Sequence, residues 1–425
     1  MAQLAKFHEK AIAIYGCGQI AENTSVINDT PTGTVTTSVS TPTVTGVGTA
    51  FDTQVAVGSY IYNAAGGIVG RVLTVTSATS ITLEANSAVV ISAAAFKTGL
   101  GPKNAIAVLN LNFSVDLASE AFQYVGDELN RDEATVITDK FAKFDFETFL
   151  PVKGTTTATP LVSEIPISDW FQSSGMAITL AAGKFTVSNS TASNKYMTIE
   201  IRRSSPDLTT TQKTYTVTNA RGLFDLDMTL GTKPKLKFSY LGNVGSTVAV
   251  EKLSIIADFQ SQKTTISESL KSSTVNLGNL TVWSGTTEPT SPTFSVSATP
   301  QTITGSNNTT NFIFNKLMAP NASGFDYARY LTSGIDGWSK GAAPTDITLT
   351  ILEDTAASAY NPENNLEATH KLVVNYSDVS DTASKVITIV FHKLELTKVT
   401  ASKVANYTGQ DLGFRNVGYT DIIFS

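Results

Sequence analysis

Residues 105–151 read AIAVLNLNFSVDL, then ASEAFQYVGDELNRDEATVITDK, then FAKFDFETFLP, and they decide the fold class. Ile106 and Val108, followed after a one-residue shift of phase by Leu109, Leu111, Phe113 and Val115, give a period near two. That period makes one face of a strand apolar and the other wettable. Phe144 and Phe146 alternate likewise in the return strand, with Phe141 and Phe149 at its ends. Between the strands Asp127, Glu128, Asp132, Glu133 and Asp139 outnumber Arg131 and Lys140. No apolar core buries such an acidic excess unpaired, so the sequence predicts strand, exposed charged connection, strand.

Composition extends this reading to the whole chain. With 425 residues and 41 % hydrophobic content, the chain is long enough for two or three domains, each with a core. Charged residues make up only 16 %, below the usual quarter or so, and Thr and Ser fill the polar positions. Thr is β-branched and fits a pleated surface, while low charge suits faces covered by neighbouring subunits. The formal net charge of −6 leaves no basic footprint for gripping nucleic acid. A single cysteine, Cys17, excludes an internal disulfide. The N-terminal MAQLAKFHEKAIAIYG shows no cleavable leader pattern, and no apolar run reaches the roughly 18 residues needed to span a bilayer. Synthesis in the cytoplasm is therefore expected, with the sequons at Asn189, Asn279, Asn308, Asn321 and Asn406 unglycosylated.

The strand, charged connection and strand resemble the major tail tube proteins of long, non-contractile-tailed bacteriophages (siphophages). Their subunits have a strand, a long loop with a GD…RD…T…D pattern, and a strand ending in ET.LP. Here those positions are Gly126-Asp127, Arg131-Asp132, Thr135, Asp139 and Glu147-Thr148-Phe149-Leu150-Pro151. Ala220-Arg221-Gly222-Leu223-Phe224-Asp225-Leu226-Asp227 with Gly231-Thr232-Lys233-Pro234-Lys235-Leu236-Lys237-Phe238 is similar to the family's paired strands around an ARG…G..P.L.F turn. A third patch runs from Asn406-Tyr407-Thr408-Gly409 through Gly413-Phe414-Arg415-Asn416 to Tyr419-Thr420-Asp421-Ile422-Ile423-Phe424. The three patches leave about 240–400 unmatched.

The resemblance implies a structural virion protein, not an enzyme, that polymerises into stacked rings forming a tail tube. Asp127, Glu128, Arg131, Asp132, Glu133 and Asp139 then form the ring-to-ring contact loop. Implied partners are further copies of the chain, a tape-measure protein, and tail terminator and distal tail proteins. DNA passes through the lumen unbound, which a mildly acidic wall permits because each lysine contact would add affinity. The implied location is the virion tail. The alternative is a receptor-binding tail spike or adhesin with glycan-binding β domains. It should show exposed aromatic clusters and a repetitive trimeric shaft, and neither is visible in the sequence.

The expected fold is all-β with one or two short helices: tail-tube β-sandwich or barrel domains, two in tandem, plus an inserted small β domain (30–97) on the outer surface, projecting from the tube. Residues 30–97 carry the insert's pattern. Gly33-Thr34-Val35-Thr36-Thr37-Ser38-Val39, Thr43-Val44-Thr45, Ser59-Tyr60-Ile61-Tyr62, Gly70-Arg71-Val72-Leu73-Thr74-Val75 and Ser80-Ile81-Thr82-Leu83 are short strands between turn residues. From Gly48-Thr49-Ala50-Phe51 onward this stretch is similar to small β modules inserted in phage tail and fibre proteins. Residues 1–29 and 98–280 then make a discontinuous first domain, and 281–425 a second, with a short helix expected at 362–368. Two tube domains per chain imply a trimeric ring with pseudo-six-fold symmetry, the hexamer being the alternative.

Other chemistry is excluded position by position. Ala11-Ile12-Ala13-Ile14-Tyr15 running into Gly16-Cys17-Gly18-Gln19-Ile20-Ala21 matches a G-x-G-x-x-A dinucleotide fingerprint. That motif requires a helix next, and residues 22–49 are crowded with Pro, Gly, Thr and Ser instead. His8, His370 and His392 have no metal-ligand spacing and are expected at the surface or at strand edges. The 127–139 acids lack the regular order of a calcium loop. Asp225 and Asp227 share a strand face as a glycosidase pair could, but they alternate with Phe224 and Leu226 as in any amphipathic strand. No cofactor, metal or catalytic residue is expected.

Overall fold

A computed structural model describes residues 12–122, 134–149, 167–181, 184–193, 195–203, 212–227, 235–250, 272–279, 301–304, 328–330, 334–336, 345–352, 369–377, 386–404 and 407–424. The fold is all-β, with two short helices, Phe51–Gln54 (α1) and Ser168–Ser173 (α2), and one 3₁₀ turn at Pro102–Asn104 among those residues. Numbered in chain order, the strands begin with β1 (Ile12–Gly18) and then β2 (Thr34–Thr37), β3 (Thr43–Val47), β4 (Tyr60–Asn63), β5 (Ile68–Ser77), β6 (Ser80–Leu83), β7 (Ile91–Ala94) and β8 (Phe96–Gly99). The chain continues through β9 (Ala105–Ile106), β10 (Asn110–Phe122), β11 (Ala134–Phe149), β12 (Met176–Ala181), β13 (Lys184–Ala192), β14 (Met197–Arg203), β15 (Gln212–Asp227) and β16 (Lys235–Val250). The remainder are β17 (Ser272–Asn279), β18 (Gln301–Thr304), β19 (Ala328–Tyr330), β20 (Gly334–Asp336), β21 (Thr345–Leu352), β22 (Thr369–Ser377), β23 (Val386–Val404), β24 (Tyr407–Asn416) and β25 (Thr420–Phe424).

Two large antiparallel sheets form the body. The first has the order β10-β11-β16-β15-β14-β1-β9; the second runs β12-β13-β25-β23-β22-β17-β18, with β24 joining β23 to β21. Strands β9 and β10 are neighbours in sequence yet lie at opposite edges of the first sheet. Residues 107–109 can bridge at most about 14 Å, so the sheet curls until its edges approach. The phase shift at Val108 and Leu109 is the chain's passage from one edge to the other.

One core fills the space between the two sheets. Ile14, Ile199, Ile201, Phe144, Phe146, Phe224, Phe238 and Tyr240 come from the first sheet, and Phe185, Val187, Leu372, Ile389, Phe391, Leu412 and Ile422 from the second. Helix α2 plugs one end. Its Trp170 packs against Phe146 at a centroid distance of 4.9 Å and Tyr240 at 5.2 Å, while Phe171 meets Phe224 at 5.0 Å. Such edge-to-face contacts add about 0.5–1.5 kcal/mol each beyond area burial. The Tyr240 hydroxyl donates to the Trp170 carbonyl at 2.7 Å and lies 2.7 Å from Ser173 Oγ.

Position 280, where the sequence reading places a boundary, is crossed by pairing. Strand β17 pairs with β22 from Ser272↔Ser377 to Asn279↔His370, and β13 pairs with β25 from Phe185↔Phe424 to Ser188↔Asp421. A single sheet buries an apolar face only against a second layer. The N-terminal half supplies all of the first sheet and the C-terminal half most of the second, so the two halves share one core. The helix expected at 362–368 falls outside the described residues.

Residues 34–99 make a sheet of their own, order β7-β2-β3-β6-β5-β4-β8, around eleven buried side chains that include Val35, Phe51, Ile61, Val72, Ile81 and Phe96. Only Ala95 separates β7 from β8, the two ends of that order, so the sheet closes into a small barrel. Closure removes the edges that make an isolated sheet adhesive. Irregular register in β5, between Val72 and Thr74 and again between Val75 and Ser77, supplies the bends that closure needs. No helix among the described residues is long and apolar enough to cross a membrane.

Candidate assembly interface

The hairpin of β10 and β11 forms one edge of the first sheet. Its register runs from Asn110↔Glu147 to Phe122↔Ala134, with a bulge between Ala118 and Ser119. Strand β11 pairs with β16 only from Phe141↔Asn243 to Phe149↔Lys235. Beyond Phe141 the hairpin is a two-stranded arm standing off the sheet among the described residues. Both strands run several residues farther into the connection than hydropathy predicts, because a ribbon satisfies its backbone hydrogen bonds whatever its side chains are.

Of the residues expected to make the ring contact, Asp139 lies in the arm, its backbone opposite Ala118 at the bulge. Asp127, Glu128, Arg131, Asp132 and Glu133 lie outside the described residues. Among the described residues strand β10 has no partner along its other side. Its inward side chains Leu111 and Phe113 pack on the core, while Leu109 and Val115, 43 % and 37 % exposed, leave apolar surface at that edge.

The outer face of the first sheet carries mixed charge in register. Glu147 stands opposite Lys237, which stands opposite Asp225, and Asp227 is opposite Lys235. Directly opposed residues sit about 5 Å apart. Asp225 and Asp227 thus stand opposite Lys237 and Lys235 in the register of an antiparallel pair.

The barrel is seated on the same face, over β1 and β14. Tyr15, Cys17, Ala13, Val26, Ala56, Leu100 and Ala105 form an apolar floor. Arg202 lies 4.0 Å over the Tyr15 ring, pairs with Glu200 through Nε at 2.8 Å, and donates Nη2 to the Leu100 carbonyl at 3.1 Å. Tyr62 donates to the same carbonyl at 2.8 Å, and burial pushes its hydroxyl well above the ordinary phenol range, so it remains a donor. The Gly58 carbonyl accepts from Arg71 Nε and Asn104 Nδ2, both at 3.0 Å. Glu84 takes Arg71 at 2.6 Å and Lys103 at 2.7 Å. Truncating one member of a buried charged set strands its partner, so such a seat holds one orientation. The signal legible in sequence was Met197-Thr198-Ile199-Glu200-Ile201-Arg202, whose polar residues alternate with buried isoleucines; what they face was not.

Gly16 and Gly18, the glycines of the dinucleotide fingerprint, are strand residues of β1, and no helix follows. A Cβ on Gly16 would come within 2.5 Å of Met197 Cε and 2.6 Å of Trp170 Cζ2, so the glycine makes room for the α2 tryptophan. Gly18 makes room for the stem of Lys195, which binds Asp169 at 2.6 Å. Burial alone would raise the Asp169 carboxyl, but Lys195 outweighs it and holds the group below its ordinary value. Burial, assisted by Asp169, pushes the Cys17 thiol up to about 12, which leaves no reactive thiolate at neutral pH.

His392 departs from the surface or edge position expected of it. It is 8 % exposed, its Nε2 lies 2.9 Å from Asp421, and its ring stacks on Tyr419 at 3.9 Å. His370 is a strand residue of β22, and His8 lies outside the described residues. Among the described residues no three His, Cys, Asp or Glu side chains gather as metal ligands. No family model matches the chain, and no curated protein matches it.

Proposed function

We propose that the chain is the subunit of a phage tail tube, a structural virion protein whose stacked rings conduct the genome to the host. The observation that carries this reading is the hairpin of β10 and β11. Its base belongs to the sheet, its outer part is a two-stranded arm, and the arm's strands are joined through the acidic 123–133 segment that resembles the tail tube loop. An arm of this kind reaches a neighbouring ring, while the thirteen-residue edge of β10 offers backbone groups to an adjacent subunit in the same ring. The described residues hold no constellation that calls for bond making, and in this reading the mechanism is geometric.

With one two-sheet body per chain, six copies close the ring in this reading, and the three-copy ring, which needs two tube domains per chain, is the alternative. The tape-measure protein occupies the lumen during assembly, and terminator and distal tail proteins cap the ends. Reversing Asp127, Glu128 and Asp132 together to lysine should leave the fold intact and cut the yield of pelletable tubes severalfold. The assay belongs at about 0.15 M salt, where exposed charges more than roughly 8 Å apart are screened, so that an effect reports direct contact. Undiminished yield would count against the arm as the ring-to-ring contact.

A further inference from the structure

Resting on the tail-tube reading, we infer that the outward face of β12, β13 and β25 lines the lumen, and that the barrel-bearing face of the first sheet is turned to the exterior. The barrel decides the direction. A unit of its 66 residues, Thr34 to Gly99, has a radius of gyration of about 11 Å by the general size scaling. It is held by buried contacts at Tyr15, Arg202, Leu100, Tyr62, Gly58 and Asn104, so it cannot swing aside. Several such barrels pointing inward would fill a channel, whereas on the outside they meet only solvent.

Charge supplies a second, independent observation. The barrel-bearing face exposes Lys143, Lys235 and Lys237, interleaved with Asp145, Glu147 and Asp225. On β12, β13 and β25 the residues alternating with core Phe185, Val187 and Ile422 are Thr186, Ser188, Asp421 and Ile423, and β12 adds exposed Thr179 and Ala181. One lysine, Lys184, begins β13 next to Phe185, opposite Ala181 in the register. Other cations of that sheet, among them Lys393 and Lys398 on β23 and Arg415 on β24, sit farther along, Arg415 directly opposite Glu395. A sliding polyanion is slowed wherever phosphates meet cations, because each contact releases counterions and adds affinity. A wall poor in cations is the surface past which DNA moves freely.

The test is thiol labelling of the full-length chain, with unsubstituted tubes as the blank because Cys17 is buried. Thr45→Cys places a thiol on the barrel, and Thr179→Cys places one on the assigned lumen wall, with Thr186→Cys as a second inner position should Thr179→Cys fail to assemble. The probe is a maleimide carrying a polyethylene glycol too large to enter a tube. In assembled tubes Thr45→Cys should react as fast as in unassembled chain, and the inner position severalfold more slowly than in unassembled chain. Equal labelling of both positions in tubes, or the reverse pattern, would overturn the face assignment and leave the tube reading standing. Failure of the unsubstituted chain to form tubes would overturn the tube reading, and the assignment with it.

Discussion

Adding one methyl group at Gly16 should destabilise the body by an amount the structure fixes. A Cβ there would sit 2.5 Å from Met197 Cε and 2.6 Å from Trp170 Cζ2. The methionine tip can swing away, but Trp170 is held between Phe146, Tyr240 and Phe238 at 4.9, 5.2 and 5.7 Å. Overpacking of this kind costs about 1–3 kcal/mol. For a body of this size Gly16→Ala should lower the melting midpoint by roughly 2–4 °C for about 2 kcal/mol, read by far-UV circular dichroism. Trp170→Phe shrinks the ring that the new methyl strikes, so the double variant should lose less than the sum of the two single losses, with a coupling of about 0.5–3 kcal/mol. Gly18→Ala presses only on the flexible Lys195 stem and serves as the milder comparison. A Gly16→Ala protein as stable as the parent, or strict additivity with Trp170→Phe, would refute the assignment of this glycine to tryptophan packing.

Other outcomes follow from the same contacts. The Cys17 thiol, raised to about 12, should ignore a disulfide reagent at pH 7 in the folded chain and react at once in denaturant; fast reaction without denaturant would contradict its burial. Asp169 has a folded value below its unfolded value, so its contribution is present at neutral pH and is lost as pH falls below about 4; Asp169→Asn should be less stable at pH 7 and show a shallower acid loss, measured by urea midpoint against pH. The barrel closes on itself around eleven buried side chains, so a fragment spanning 28–101 should fold alone with a cooperative melt, and a non-cooperative melt would show that the seat is needed for its folding.

Strand type and many strand positions were legible because alternation is a local property. Ile12–Gly18, Met197–Arg203 and Thr345–Leu352 all read as strands from their own residues. Pairing is not local. Phe185 meets Phe424 across most of the chain, and nothing in either segment names the other. Helix α2 escaped notice because six residues are too few for a helical period to show. Asn219, at φ 50 within the irregular register between Thr218 and Arg221, and Asn23, at φ 60, pair with one another, and neither position announces a bulge in sequence. The arm was half legible: its apolar base reads as strands, while its polar outer part reads as loop.

The central claim is self-assembly, and negative-stain electron microscopy of the purified full-length chain at high concentration tests it most directly. Stacked rings or hollow tubes, with three- or six-fold symmetry in end views and knobs along the outer wall, are the predicted result. A chain that remains a monomeric globule at every concentration, or collects as a compact trimeric spike, would contradict it.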